Sequence, residues 1–361
     1  MVGLLVSLAV PRPFAAQAQQ IGTWDVYPSY WNATHNVVAG TTIYSLTNGN
    51  LMAYDTEDGE VRTFDCLTQL NGIRVGQIAY SATARRLVIA YDDCNIDLMD
   101  VAGNVQNLPA LRDKSMTSKT LNSVCVEGDK AYLAMSFGIV EVDVREGVFG
   151  STYTMGLDVQ SVAILDGCIY AATTQGVYKG RLTDHLQDKS LWTRVSTDIY
   201  VQLAVVDGEL VGRREWDVYR IAGDGSSSRF SSGHFTFMSV SGGMLVWGNS
   251  TQINLCQNTG KVTKMSYDNS WNDVSYAGGT FWVSEGEKGL RGYTLKDGQF
   301  AQAAGPIQPN SPKNDLAYRI SWAGDRLLVA GGVNTVAADY HPATAMYYED
   351  GKWVNFQEME G

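Results

Sequence analysis

Residues 129–144, DKAYLAMSFGIVEVDV, and residues 166–182, DGCIYAATTQGVYKGRL, are two copies of one phrase. A shift of 38 positions lays Tyr132 on Tyr170, Ala134 on Ala172 and Gly138 on Gly176. Each copy opens on a polar turn, alternates aromatic and small apolar residues, meets a glycine and resumes as an apolar strand. Period-two alternation between turn residues is the mark of a strand with two distinct faces.

The phrase recurs along the chain. Its other instances are GTTIYSLTNGNLMAYD (40–55), ARRLVIAYDDCNIDLMD (84–100), DGELVGRREWDVYRI (207–221), GGMLVWGNSTQINLC (242–256), GGTFWVSEGEKGLRGY (278–293) and AGDRLLVAGGV (323–333). From the third instance to the seventh, a short apolar strand precedes each, as in LNSVCVE or VQSVAIL. Several are followed by a fourth strand, as in GEVRTFD, SLWTRVS, GKVTKMS and GKWVNFQ. Four short antiparallel strands in a repeat of about 40 residues describe a β-propeller blade. A single blade cannot bury both faces, so blades stack around an axis.

The chain is therefore read as all-β: a β-propeller of seven four-stranded blades plus an eighth repeat that is an extra blade or begins a second propeller. An eight-bladed ring is the alternative count. The opening GTWDVYPSYW resembles an outermost strand and is expected to close the ring by completing the last blade, which removes free edges. The segment QAAGPIQPNSPKND holds three of the eight prolines and is expected to be a linker. The expected organisation is a signal peptide over 1–18, a seven-bladed propeller closed by the N-terminal strand over 19–300, a linker over 301–315 and the surplus repeat over 316–361. The signal peptide rests on the apolar run Val2–Val10 followed by the small-x-small pattern Ala16-Gln17-Ala18, although no Lys or Arg precedes the run. The apolar run is too short for a bilayer span. Export to the cell surface or outer membrane, or else to the periplasm, follows from this reading.

A net charge of −11 argues against nucleic acid, because a phosphate-binding surface needs clustered Lys and Arg. Only short basic pairs occur, such as Arg85–Arg86 and Arg213–Arg214. Five cysteines without CxxC spacing indicate neither a zinc site nor a redox site, and Cys125 and Cys168 read as small buried hydrophobes. The four histidines His35, His185, His234 and His341 are scattered. Asp93, Asn95 and Asp97 follow the alternate spacing of a calcium loop. However, Leu98 stands where such a loop needs glycine, so turn residues are the better reading. Asn32-Ala33-Thr34 and Asn249-Ser250-Thr251 match glycosylation sequons. No catalytic constellation, cofactor fingerprint or metal motif is present in the sequence, so the expectation is binding without catalysis, at the axial mouth or on the loop-bearing faces. Candidate ligand or partner contacts are the aromatic run Trp24, Tyr27, Tyr30 and Trp31, and the pair Arg213 and Arg214.

The opening with Trp24, Tyr27, Ser29-Tyr30 and Thr34, the first blade IYSLTNGNLMAYD and later blades of the form DGCIYAATTQGVYKG resemble the PorZ family of type IX secretion components of Bacteroidetes. The blade pattern is also similar to two-component-regulator propeller repeats. The PorZ resemblance implies two propellers and a sorting domain, a place at the outer membrane surface with a PorU-like sortase and attachment-complex proteins, and binding of anionic lipopolysaccharide for presentation to the sortase. The alternative function is a periplasmic glycan-sensing propeller of a hybrid two-component regulator.

Overall fold

A computed structural model describes residues 24–116, 118–257, 260–266, 271–331 and 344–356. The expected signal peptide lies outside the described residues. The repeated phrase forms the second and third strands of a four-stranded sheet, Lys130–Met135 and Gly138–Asp143 in one copy and Cys168–Thr173 and Gly176–Arg181 in the other. Alternation sends Ala131, Leu133 and Met135 toward the preceding sheet, where they meet Val88 and Ala90, and sends Tyr132 and Ala134 toward the following one, where they meet Val162 and Ile169. In the second copy Tyr170 and Ala172 likewise face the sheet that follows, beside Leu203 and Leu210. In these two copies each strand is covered on both faces, which is why both sets of alternate residues are apolar. Complete burial of one leucine contributes about 1.5–3 kcal/mol, and Leu133 is wholly buried.

The glycine of the phrase has a specific cause. Gly138 and Gly176 have φ of 148° and 119°, and a Cβ there would lie 2.0 Å from the Tyr153 carbonyl oxygen and 2.2 Å from that of Ser196. The fourth strand crosses too close for any side chain. The constraint is thus the neighbouring backbone as well as the hairpin turn.

Among the described residues eight four-stranded antiparallel sheets follow one another, each made of four consecutive strands. The inner strands of the first seven are Ala33–Ala39, Val75–Ser81, Leu121–Glu127, Val159–Leu165, Gln202–Val206, Phe237–Ser241 and Asp273–Ala277. Each packs beside the next, and the seventh returns to the first. At that seam the Asn36 amide donates to Asp273 Oδ2 (3.1 Å), Ser275 Oγ to the Asn36 carbonyl (2.9 Å), and Ala33 and Gly286 exchange two backbone hydrogen bonds. Ile43 and Met52 of the first sheet pack there on Trp282 and Leu290 of the seventh.

Two expectations about this seam need correction. The outer strand of the seventh sheet is Gln299–Ile307, supplied by the same repeat, so the ring closes without an N-terminal strand. The expected linker is therefore strand as far as Ile307. Its Pro306 is tolerated because an outermost strand has no partner on its far side and the register is already irregular there. Residues 24–31 form no strand and run as a strap between the first sheet and the eighth. Ser29 N donates to Asp315 Oδ1 (2.6 Å), Tyr30 N to Ser311 Oγ (3.0 Å) and Trp31 Nε1 to the Ser311 carbonyl (3.4 Å).

The eighth sheet begins with the inner strand Arg319–Ala323, which is exposed at all five positions. Its own core is small, built on Val329, Met346 and Trp353.

Candidate functional site

The seven inner strands surround an axial channel of about 490 Å³. Glutamine and serine side chains line it, among them Gln77, Ser123, Gln202, Ser239 and Ser275. One ionic pair spans its wall at the closure seam. His35 Nδ1 lies 2.5 Å from Asp273 Oδ2, and His35 Nε2 lies 3.0 Å from the Ile78 carbonyl oxygen. Both neighbours only accept hydrogen bonds, so the imidazole satisfies both when doubly protonated. Burial opposes that charge, but the Asp273 carboxylate and the Ile78 carbonyl outweigh it and raise the His35 pKa. Burial opposes the Asp273 charge too; the His35 cation and hydrogen bonds from His35, Ser239 and Asn36 outweigh it and lower the Asp273 pKa. This cluster ties the first, second, sixth and seventh blades together. With both ring nitrogens engaged, His35 is a clasp and not a free base.

A groove of about 1180 Å³ lies between the fourth and fifth sheets. Lys179 spans it, with Nζ 5.2 Å from the Tyr170 ring centre and donating to the Gly223 carbonyl across the gap (3.1 Å). Arg220 pairs with Glu209 (2.9 Å) and lies 4.4 Å over the Phe230 ring. Arg181 is exposed on the same wall and has no ion pair among the described residues. Three hydroxyls, Ser226, Ser227 and Ser228, line the opposite wall. The groove sets three acids, Asp166, Asp184 and Glu209, beside its three cations; Ser226 and Ser227 donate to Asp224 (2.7 Å) and Asp198 (3.1 Å). Among the described residues no group of histidine, cysteine and acid side chains could hold a metal ion.

Comparison with known proteins fits this geometry. The family model described as TSS9, PorZ, N-terminal beta-propeller domain matches residues 43–193. The solved structure of PorZ, an essential surface component of the type IX secretion system of the oral bacterium Porphyromonas gingivalis, superposes with a TM-score of 0.84 at 27% identity over 93% of this chain. The chain is thus similar to the PorZ N-terminal propeller. It spans 46% of the PorZ chain that it matches. The computationally designed Ika8 protein shares the fold alone, at a TM-score of 0.51 and 10% identity over 74% of this chain and 98% of its own. A search of the curated proteins finds no match.

In this PorZ-like ring the residues singled out from sequence fall into different roles. Trp24 is 82% exposed, whereas Tyr30 is buried against Ile43 and Trp282. Tyr27 packs on Tyr348 and Trp353, with ring centres 4.9 and 5.5 Å away, and Trp31 is tied to Ser311. Tyr27, Tyr30 and Trp31 are thus committed to the strap. Arg213 and Arg214 point to opposite faces of the strand Glu209–Arg214 and form no joint patch. Arg214 pairs with Asp198 and lies 4.2 Å over the Tyr219 ring. Arg213 is half-buried, and burial lowers its pKa.

The acidic run also resolves. Asp97 is buried and accepts from Tyr91 Oη (2.5 Å), Asn71 N (2.8 Å) and Asn107 Nδ2 (2.8 Å), so its oxygens are taken by protein donors. The amide of Asn249 donates to the Gly233 carbonyl (3.0 Å), and its oxygen accepts from Thr251 N (3.0 Å), so this sequon residue is a structural pin. All five cysteines are unpaired; Cys125 and Cys168 are only partly buried, and burial pushes the Cys125 thiol up to about 12. His341 lies outside the described residues. Sequence reasoning missed the pairing of His35 with Asp273, which no local pattern could signal across 237 intervening residues.

Proposed function

We propose that this chain is the N-terminal propeller of an exported, noncatalytic accessory protein of the type IX secretion system, which binds anionic lipopolysaccharide at the cell surface and presents it to a PorU-like sortase. The observation that supports this reading is the agreement with PorZ over 93% of the chain at a TM-score of 0.84. In this reading the eighth sheet starts a second propeller, whose next blade would cover Arg319–Ala323. The groove between the fourth and fifth blades supplies the contact, with Arg181 and Lys179 meeting the ligand's anionic groups and the serine row its hydroxyl groups. No helix among the described residues is long and apolar enough to cross a membrane, so attachment through partners is part of the proposal.

The test is titration of the purified chain with purified anionic lipopolysaccharide and, in parallel, capture of a PorU-like sortase. Binding that Arg181→Glu weakens about ten-fold, in a salt-dependent manner, is the expected result. Absence of lipopolysaccharide binding by the wild-type chain would sink the reading.

A further inference from the structure

The turn between the second and third strands of each blade provides an internal control. In the first, fourth and sixth blades it is small and polar: Asn48-Gly49, Thr174-Gln175 and Asn249-Ser250-Thr251. In the third blade it carries Phe137, which is tucked against Leu133 and Val140. In the fifth blade it is Glu215-Trp216, and Trp216 is 53% exposed. One exposed aromatic residue is ordinary on a protein surface. Its setting here is not.

Trp216 walls a pocket of about 370 Å³ together with Glu215, Asp217, Ser232, Gly233 and His234. The His234 ring sits beside the indole, with centres 5.8 Å apart at 43°. Ten non-glycine residues have positive φ among the described residues, and six are Asn or Asp, which tolerate that conformation. Of the remaining four (Arg85, Cys94, Glu215 and His234), two line this one pocket, at φ of 51° and 55°; histidine shares the tolerance of Asn and Asp, so Glu215 is the unusual one. Non-glycine residues held in this region cost on the order of 1–3 kcal/mol each and persist where the surroundings over-determine them.

The surroundings do so. Phe235 N donates to the Trp216 carbonyl (2.9 Å), Gly233 N to Asp217 Oδ1 (3.2 Å), and Asn249 Nδ2 to the Gly233 carbonyl (3.0 Å). Arg213 Nη1 reaches the Glu215 carbonyl from behind (3.4 Å). A Cβ on Gly233 would meet the Phe235 ring at 2.8 Å, so glycine is needed for the loop to pass. The wall is built in advance: Asp217 is held by Gly233 N and by Arg229 (3.3 Å), which leaves an indole face, the Glu215 carboxylate and the Ser232 hydroxyl around the space.

We infer that this pocket is a saccharide subsite that takes one neutral hexopyranose residue of a polysaccharide. The axial C–H face of the ring lies on Trp216, and its hydroxyl groups bond to the Glu215 carboxylate and the Ser232 hydroxyl. The Glu215 carboxylate disfavours uronates and phosphorylated sugars. The site stands on its own geometry and is separate from the groove between the fourth and fifth sheets assigned above to anionic lipopolysaccharide.

The test is titration of the full chain with cellobiose, mannobiose, lactose and galacturonic acid, followed by intrinsic tryptophan fluorescence and calorimetry. At least one neutral disaccharide is expected to bind with a dissociation constant of about 1 mM. Trp216→Ala should weaken it about ten-fold or more, and Trp216→Phe should restore part of the affinity. Unchanged thermal unfolding of both variants shows that the ring is intact. Failure of every neutral disaccharide to bind, equal binding of galacturonic acid, or binding indifferent to Trp216→Ala would each overturn the inference. Lipopolysaccharide binding that survives Trp216→Ala while no disaccharide binds would leave the secretion reading standing. Disaccharide binding at Trp216 without any lipopolysaccharide binding would remove the secretion reading alone.

Discussion

Asp273–Ala277, DVSYA, and Arg319–Ala323, RISWA, are inner strands of the same length and pattern. In the first, Val274 is 3% exposed and packs beneath Trp271 and Phe281; in the second, Ile320 and Trp322 are 60% and 70% exposed. Both pair with a second strand in regular antiparallel register. The difference is the neighbour: the seventh blade has another on each side, while no described blade covers the eighth. Apolar alternation specifies a strand, and packing partners decide what that strand is worth.

That contrast can be broken by matched substitutions. Trp282→Ala in the seventh sheet removes a side chain that is 6% exposed and packs on Tyr54 across the closure seam. It should cost about 3–5 kcal/mol, whereas Trp322→Ala should stay within about 0.5 kcal/mol, both read by denaturant unfolding. Equal costs would mean that the eighth sheet is packed against something in solution. The next effect is Gly138→Ala inside the ring, where the added Cβ meets the Tyr153 carbonyl. A loss of about 2 kcal/mol or more is expected in the same assay.

A third effect is pH dependence at the closure. The folded His35 pKa is raised, so its contribution is fully present below its unfolded value of about 6.5 and is lost as pH rises through the folded value. The Asp273 contribution, with its pKa lowered, is present above about 3.9 and is lost as pH falls through the folded value. Melting temperature should fall on the alkaline side in the wild-type chain, and the slope should flatten in His35→Gln. An unchanged slope would show that the clasp is not the titrating element. The smallest effect is expected from the double change of Ile320 and Trp322 to Ser. Unfolding should hardly move, while self-association measured by sedimentation should drop, because an exposed apolar edge strand recruits other chains.

Much of the fold was legible because blades repeat: the recurring Tyr132/Tyr170 and Gly138/Gly176 report positions that face the same way in successive sheets. The closing strand was misread because GTWDVYPSYW carries the aromatic pattern of an outer strand. In the fold its aromatic side chains serve a strap, with Tyr30 buried and Tyr27 stacked on the eighth sheet. Arg213 and Arg214 were adjacent in sequence and therefore opposite in space, the ordinary consequence of a strand's period of two. Trp216 carried no signal within its own repeat. It stands out only when the second turn of every blade is laid side by side with its exposure.

The strap has a consequence for how the chain reaches this state. Ser29 and Tyr30 bond to residues more than 280 positions later, and Asn36 to Asp273 across 237. Contacts of such long range are slow to form. The amides of Ser29 and Tyr30 therefore wait for the last part of the ring. Until the seventh blade arrives with Trp282 and Leu290, the first blade offers one uncovered face. The ring is consequently completed by its seventh blade and not by its first residues, and a chain delivered N-terminus first must be kept from its neighbours until the circle shuts.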